Sequence, residues 1–278
     1  MQKTLRTSLV AAVLAAMSWA GPAMAGPYII AGTDADDHGS VSGGVNQDGW
    51  FFMQRALENI APGVTNGNKS VVFLGTNPGS FAGDAASSAF GLSALAGLGW
   101  TSTFVNGVTD ITNFFASGIS SAGIIMMDSG GNVSGGISDA EEAVVTANAT
   151  TINNFLGTGG GLFTQANSLG FLTSLIPGIV ISTFQDQGLA LTAAGNAAFP
   201  GLTNADLSSG PYHAQFTNTG VVPVLAREDS LRGLAVILGA SGGTITDPDP
   251  PTAVPVPASL GILGLGIAGL FAFGRRRA

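Results

Sequence analysis

The chain of 278 residues has no cysteine, which excludes a disulfide framework, a thiolate metal site and a cysteine nucleophile together. Charge is nearly as scarce, at 9% of residues, with 9 lysines and arginines and 2 histidines in all. With so few imidazoles, a zinc site would need both histidines plus carboxylates from distant loops. Five of the basic residues (Lys3, Arg6, Arg275, Arg276 and Arg277) lie at the two ends. Between them only Arg55, Lys69, Arg227 and Arg232 stand against all 17 acidic residues, a net charge of −13. That balance argues against nucleic acid and anionic lipid as partners and favours cations, polysaccharide or other proteins.

What the sequence does have is concentrated at its ends. Lys3 and Arg6 precede an apolar run over 9–17, and Ala23 and Ala25 occupy the two positions that a signal peptidase reads. This order predicts a signal peptide over 1–25, cleaved before Gly26. At the other end, residues 258–274 carry no charge and are followed directly by Arg275, Arg276 and Arg277. At about 1.5 Å rise per residue, such a segment just spans a bilayer core. A basic cluster beside a short apolar helix belongs on the cytoplasmic side, so both ends place the intervening domain outside the cytoplasm. The stretch 244–257, with prolines at 248, 250, 251, 255 and 257, reads as an extended, semi-rigid linker.

Pro255-Val256-Pro257, the glycine-rich apolar helix and the terminal arginines resemble, in order and spacing, the PEP-CTERM sorting tail. Val256 stands where that family has glutamate. The resemblance implies processing by signal peptidase and by an exosortase-like enzyme, with a cut near Pro255 or Pro257. The tail is then a transient inner-membrane anchor, and the mature protein resides at the cell surface or outside the cell. It also implies a setting of exopolysaccharide and biofilm matrix. The competing reading is a permanent single-span anchor that keeps its tail, residues 275–278, in the cytoplasm.

The remaining 26–243 is long enough for one domain held by its own core. Short apolar runs at 28–32, 70–75, 123–127, 161–164, 179–182, 221–226 and 234–239, mostly bounded by Gly, Asp or Asn, read as buried strands. Between them lie helix candidates at 47–60, 84–98 and 139–156, the last opened by Ser138 with Glu141 three residues on as a capping box. Strands that look buried on both faces and alternate with helices predict an α/β fold, a mostly parallel sheet covered by helices on each side. Gly32-Thr33-Asp34, the strand 124–127 running into Asp128, and Gly159-Gly160-Gly161-Leu162-Phe163 are similar to class I glutamine amidotransferase-like domains, and the resemblance implies a flavodoxin-like sheet. That resemblance implies a non-catalytic relative, because the stretch Leu162-Phe163-Thr164-Gln165-Ala166-Asn167 lacks the family's cysteine.

Other motifs carry less. Gly239-Ala240-Ser241-Gly242-Gly243 fits the nucleophile-elbow spacing, but a proline-rich stretch follows where a helix is needed, and no histidine lies downstream of Ser241. His213 sits in a turn-rich loop. Trp50, Trp100 and Tyr212 suit either stacking on sugar rings or the core. The polar group worth following is Asp34, Asp36 and Asp37, just after the first strand, together with Asp128. In open α/β sheets ligands bind beyond the C-terminal strand ends, and hard carboxylate oxygens suit calcium. The alternative is that Asp and Gly simply form a solvated turn. The sequence therefore predicts an exported, non-catalytic surface or matrix protein. The alternative is an exported hydrolase or carbohydrate-active domain whose site has no recognisable motif.

Overall fold

The computed structural model describes residues 27–240, apart from 131–133, 167–168, 177, 184–187, 209–213, 221 and 231. The signal segment 1–25, Ser241, the linker, the apolar segment 258–274 and the terminal arginines lie outside the described residues, as do Tyr212 and His213. Among the described residues no helix is long and apolar enough to cross a membrane.

All seven runs read as strands are strands. The chain begins with β1 (Tyr28–Ala31), a hairpin of β2 (Gly39–Ser42) and β3 (Val45–Gln47), and α1 (Asp48–Ile60). Then come β4 (Ser70–Leu74), α2 (Phe81–Gly91), α3 (Ala94–Gly97), β5 (Thr101–Val105), α4 (Val108–Asn113) and β6 (Ile124–Met127). Next are α5 (Asp139–Ala147), α6 (Ala149–Gly157), β7 (Gly161–Thr164), α7 (Leu172–Leu175), β8 (Val180–Ser182) and β9 (Leu189–Leu191). The last elements are α8 (Ala193–Ala198), α9 (Asn204–Leu207), β10 (Gln215–Thr217), β11 (Val224–Glu228) and β12 (Ala235–Ala240).

Five strands form a parallel block in the order β5-β4-β6-β7-β1. The outward steps from β1 to β4 to β5 carry α1, α2 and α3, which share one core with Ile29, Val71, Phe73 and Phe163. The return steps through β6 to β7 carry α4, α5 and α6, packed on the opposite face against Ile30, Val72, Ile125 and Leu162. Helices that change face when the direction of travel reverses are what right-handed crossovers require. Every residue of β1, β6, β7 and β12 is buried, as expected of strands covered on both sides. On the α1 face, Phe52 meets Phe163 and Phe199 edge-on, with ring centroids 5.7 and 5.4 Å apart.

Three features depart from the sequence expectation. The strand order differs from the flavodoxin-like arrangement, in which the first strand is second from one edge; here β1 lies beyond β7. Reaching β4 from β1 means crossing three strand spacings, about 15 Å. The 13-residue α1, about 20 Å long, spans that distance, and helical periodicity says nothing about how many strands a helix crosses. The second departure is that β8, β10, β11 and β12 pair antiparallel; for β11 and β12, the six-residue turn from Glu228 to Ala235 is too short for a parallel crossover. Third, two helices are split. The 139–156 helix breaks at Asn148, whose side chain bonds back to the Val144 carbonyl at 2.9 Å, a known competitor of the helical ladder. The 84–98 helix begins earlier, capped by Ser80, and restarts at Ser93, whose hydroxyl accepts from Leu95 N. The Ser138–Glu141 capping box forms as expected.

One buried group is poorly served. The Tyr28 hydroxyl has no hydrogen-bond partner among the described residues, and burial pushes its pKa well above the ordinary value. An unmet buried hydroxyl costs about 1–3 kcal/mol, so Tyr28→Phe should stabilise the domain by an amount of that order. Denaturant unfolding tests this; a loss of stability would show that the hydroxyl has a partner after all.

Candidate functional site

The C-terminal ends of β1, β4, β6 and β7 lie side by side, and each apolar strand gives way to polar residues there: Thr33 and Asp34, Thr76, Asp128 and Ser129, and Gln165. All six are buried. The β1 loop is forced close to its neighbours at Gly32, where a Cβ would overlap the Ala214 carbonyl oxygen. Gly32 N donates to Val236 O, and its carbonyl accepts from Ala214 N. A second close approach at Gly49, against the carbonyls of Ala35 and His38, clamps the start of α1 onto the same loop. Trp50, expected either in the core or on a sugar ring, is core: it is buried, and its Nε1 donates to the Asp36 carbonyl at 3.0 Å. Trp100 packs against the core of that same helical face.

Gln165 is the hub. Its Oε1 accepts from Ala35 N at 3.1 Å and Thr33 Oγ1 at 3.4 Å, and its Nε2 donates to Asp128 Oδ1 at 3.4 Å. Thr76 Oγ1 donates to the other Asp128 oxygen at 2.7 Å. Ser129 donates to Asp36 through its N at 3.3 Å and its Oγ at 3.0 Å. Asp34 holds His38 Nε2 at 3.1 Å across one turn of the loop. Asp37 is half-buried, with one oxygen sealed from solvent and without a partner among the described residues.

The sequence expectation that Asp128 reaches the edge occupied by the acidic loop is met. The contributions of Thr76, Ser129 and Gln165 were not anticipated, though a usable signal existed: each is a polar residue just past an apolar strand.

Electrostatics follow from burial. Asp36 is pushed well above the usual carboxylate range, first by loss of solvent and then by the charges of Asp128 and Asp37. Burial pushes Asp128 up to about 7; the bonds from Thr76 and Gln165 oppose the shift and the Asp37 charge adds to it. Both shifts disfavour the charged forms of these two acids. Among the described residues no three His, Cys, Asp or Glu side chains are placed to hold a metal ion. The local reason is that Asp34 turns to His38, Asp36 to Ser129, and Asp128 to Thr76 and Gln165.

Comparison with known proteins addresses the other end of the chain. Residues 253–277 match the PEP-CTERM protein-sorting motif. The chain carries that motif. With it comes the coarse role read from the sequence: an exported protein that reaches the cell surface through a membrane-anchored, exosortase-processed intermediate. The match includes Pro255, Val256, Pro257 and all three terminal arginines, so the valine in the Pro-x-Pro pair does not prevent it. No curated protein and no solved structure matches the chain, and the resemblance to glutamine amidotransferase-like domains gains no support.

The pH behaviour of the domain tests the carboxylate group. Asp36 and Asp128 hold protons more tightly folded than unfolded, so the folded state binds more protons between about pH 4 and pH 7, and stability falls as pH rises through that window. The melting temperature should therefore be lower at about pH 8 than at about pH 5, and Asp128→Asn should flatten this slope and stabilise the protein at the higher pH. An unchanged slope in the variant would remove Asp128 as its source.

Proposed function

We propose that the mature domain is a non-catalytic component of the cell surface or extracellular matrix, structural or binding in role, with exopolysaccharide or other surface proteins as its partners. The observation that carries this reading is the closure of the strand-end group. Where open α/β sheets usually offer side chains to a ligand, Asp36 and Asp128 are fully buried and engaged with Ser129, Thr76 and Gln165. A general acid or base must reach its substrate's proton directly or through one water, and carboxylates sealed in this way favour a holding role. The scarcity of charge and the sorting motif fit a protein displayed outside the cell.

Mass spectrometry of the mature C-terminal peptide, from the native host and from the same host without its exosortase, tests the sorting step. The expected end lies near Pro255 or Pro257 and requires the enzyme; an intact Ala278 end in both strains would instead mean a permanent anchor. For the domain itself, incubation with model esters and glycosides should give no turnover. Turnover abolished by changing Asp128 would make the strand ends an active site and overturn the non-catalytic role. Calcium should leave the melting temperature unchanged. A stabilisation lost in an Asp36→Ala, Asp37→Ala double variant would turn the group into a cation site.

A further inference from the structure

The two sides of the ten-stranded sheet end differently. On the antiparallel side the sheet forks at β12 and ends in two strands, β8 against β10 and β9 against β11; at β9 the outward N–H groups are both answered by side chains, Leu189 N donating to Ser208 Oγ and Leu191 N to Asn204 Oδ1, each at 2.9 Å. On the parallel side, β5 pairs only with β4, and nothing among the described residues covers its outer edge. Thr101 N bonds inward to Lys69 O, and Val105 O accepts from Gly75 N. Alternation then sends the N–H and C=O of Ser102 and Phe104 outward.

Natural edge strands are guarded by charge, proline or a bulge. Thr101-Ser102-Thr103-Phe104-Val105 has none of these; it is uncharged, in unbroken register with β4, and exposed over its first three residues.

The geometry points to edge pairing of β5 with β5 of a second copy of this chain, antiparallel about a two-fold axis at Thr103. The outward groups lie symmetrically on either side of Thr103. Opposing Ser102 to Phe104 of the second copy, and the reverse, makes both into hydrogen-bonded pairs and satisfies all four outward groups of each strand. The facing side chains are compatible: Thr103 meets its own copy, a pair that stabilises through its hydroxyls, while Thr101 meets Val105 and Ser102 meets Phe104 with no like charges opposed. The linker 244–257 is a poor rival occupant, because its five prolines lack the N–H that a ladder needs. This inference stands on the edge alone and does not depend on the proposed surface role.

The test is sedimentation equilibrium of the full mature chain, purified in detergent from a host lacking exosortase, so that every sample keeps the same tail. The wild type should sediment at twice the monomer mass. Ser102→Pro removes an outward donor while leaving the β4 ladder intact, and Thr103→Lys places like charges opposite each other. Both should halve the mass while circular dichroism still shows the folded domain, with a melting temperature that no longer rises with protein concentration. Thr103→Glu alone should do the same, and an equimolar mixture of Thr103→Lys and Thr103→Glu should restore the doubled mass. A monomeric wild type overturns the assignment. So does a doubled mass that survives Ser102→Pro and Thr103→Lys, which would place the contact in the tail or on another surface.

Discussion

A four-residue strand joins two differently built halves. β1 pairs parallel with β7 on one side and antiparallel with β12 on the other, in register from Tyr28 opposite Ala240 to Ala31 opposite Ile237. All four of its side chains are fully buried. In an exported domain without disulfides, stability rests on the core, and both cores draw on this strand: Ile29 and Ala31 serve the α1 face, Tyr28 and Ile30 the other. Without β1 the antiparallel strands would have no path to the parallel block.

The same strand delivers the acidic loop. Because Gly32 is pressed against Ala214 and Gly49 against the carbonyls of Ala35 and His38, residues 33–37 cannot swing outward, and their carboxylates are taken into the protein. A buried carboxylate is costly unless paired, hydrogen-bonded or protonated. Hydroxyl, amide and backbone donors meet that cost for Asp36 and Asp128, and Asp34 holds His38.

The parallel block and its helices were legible because buried strands leave unbroken apolar runs, as in Ile124-Ile125-Met126-Met127, and because Ser138 with Glu141 marks a helix start by itself. The polar strand Thr101–Val105 was missed. It is an edge, so its first residues face solvent and no hydrophobic period betrays them. The hairpin Gly39–Gln47 was hidden by small polar residues. Strand order was beyond reach, since the helix from β1 to β4 looks the same whether it spans one strand spacing or three. At the strand ends, aspartates were visible as a cluster after one strand, but Gln165 and Thr76 gain meaning only when four strand ends stand side by side.

Asp36 and Asp128, buried at the strand ends, are both held back from ionising by the closure around them. Carboxyl carbon chemical shifts of the aspartates, followed by NMR as pH is raised, test this most directly. Asp128 should ionise with a midpoint near 7, and Asp36 also well above the ordinary carboxylate range. Ionisation of both near pH 4, the value of a solvated aspartate, would contradict it and would mean that the strand ends are open to water.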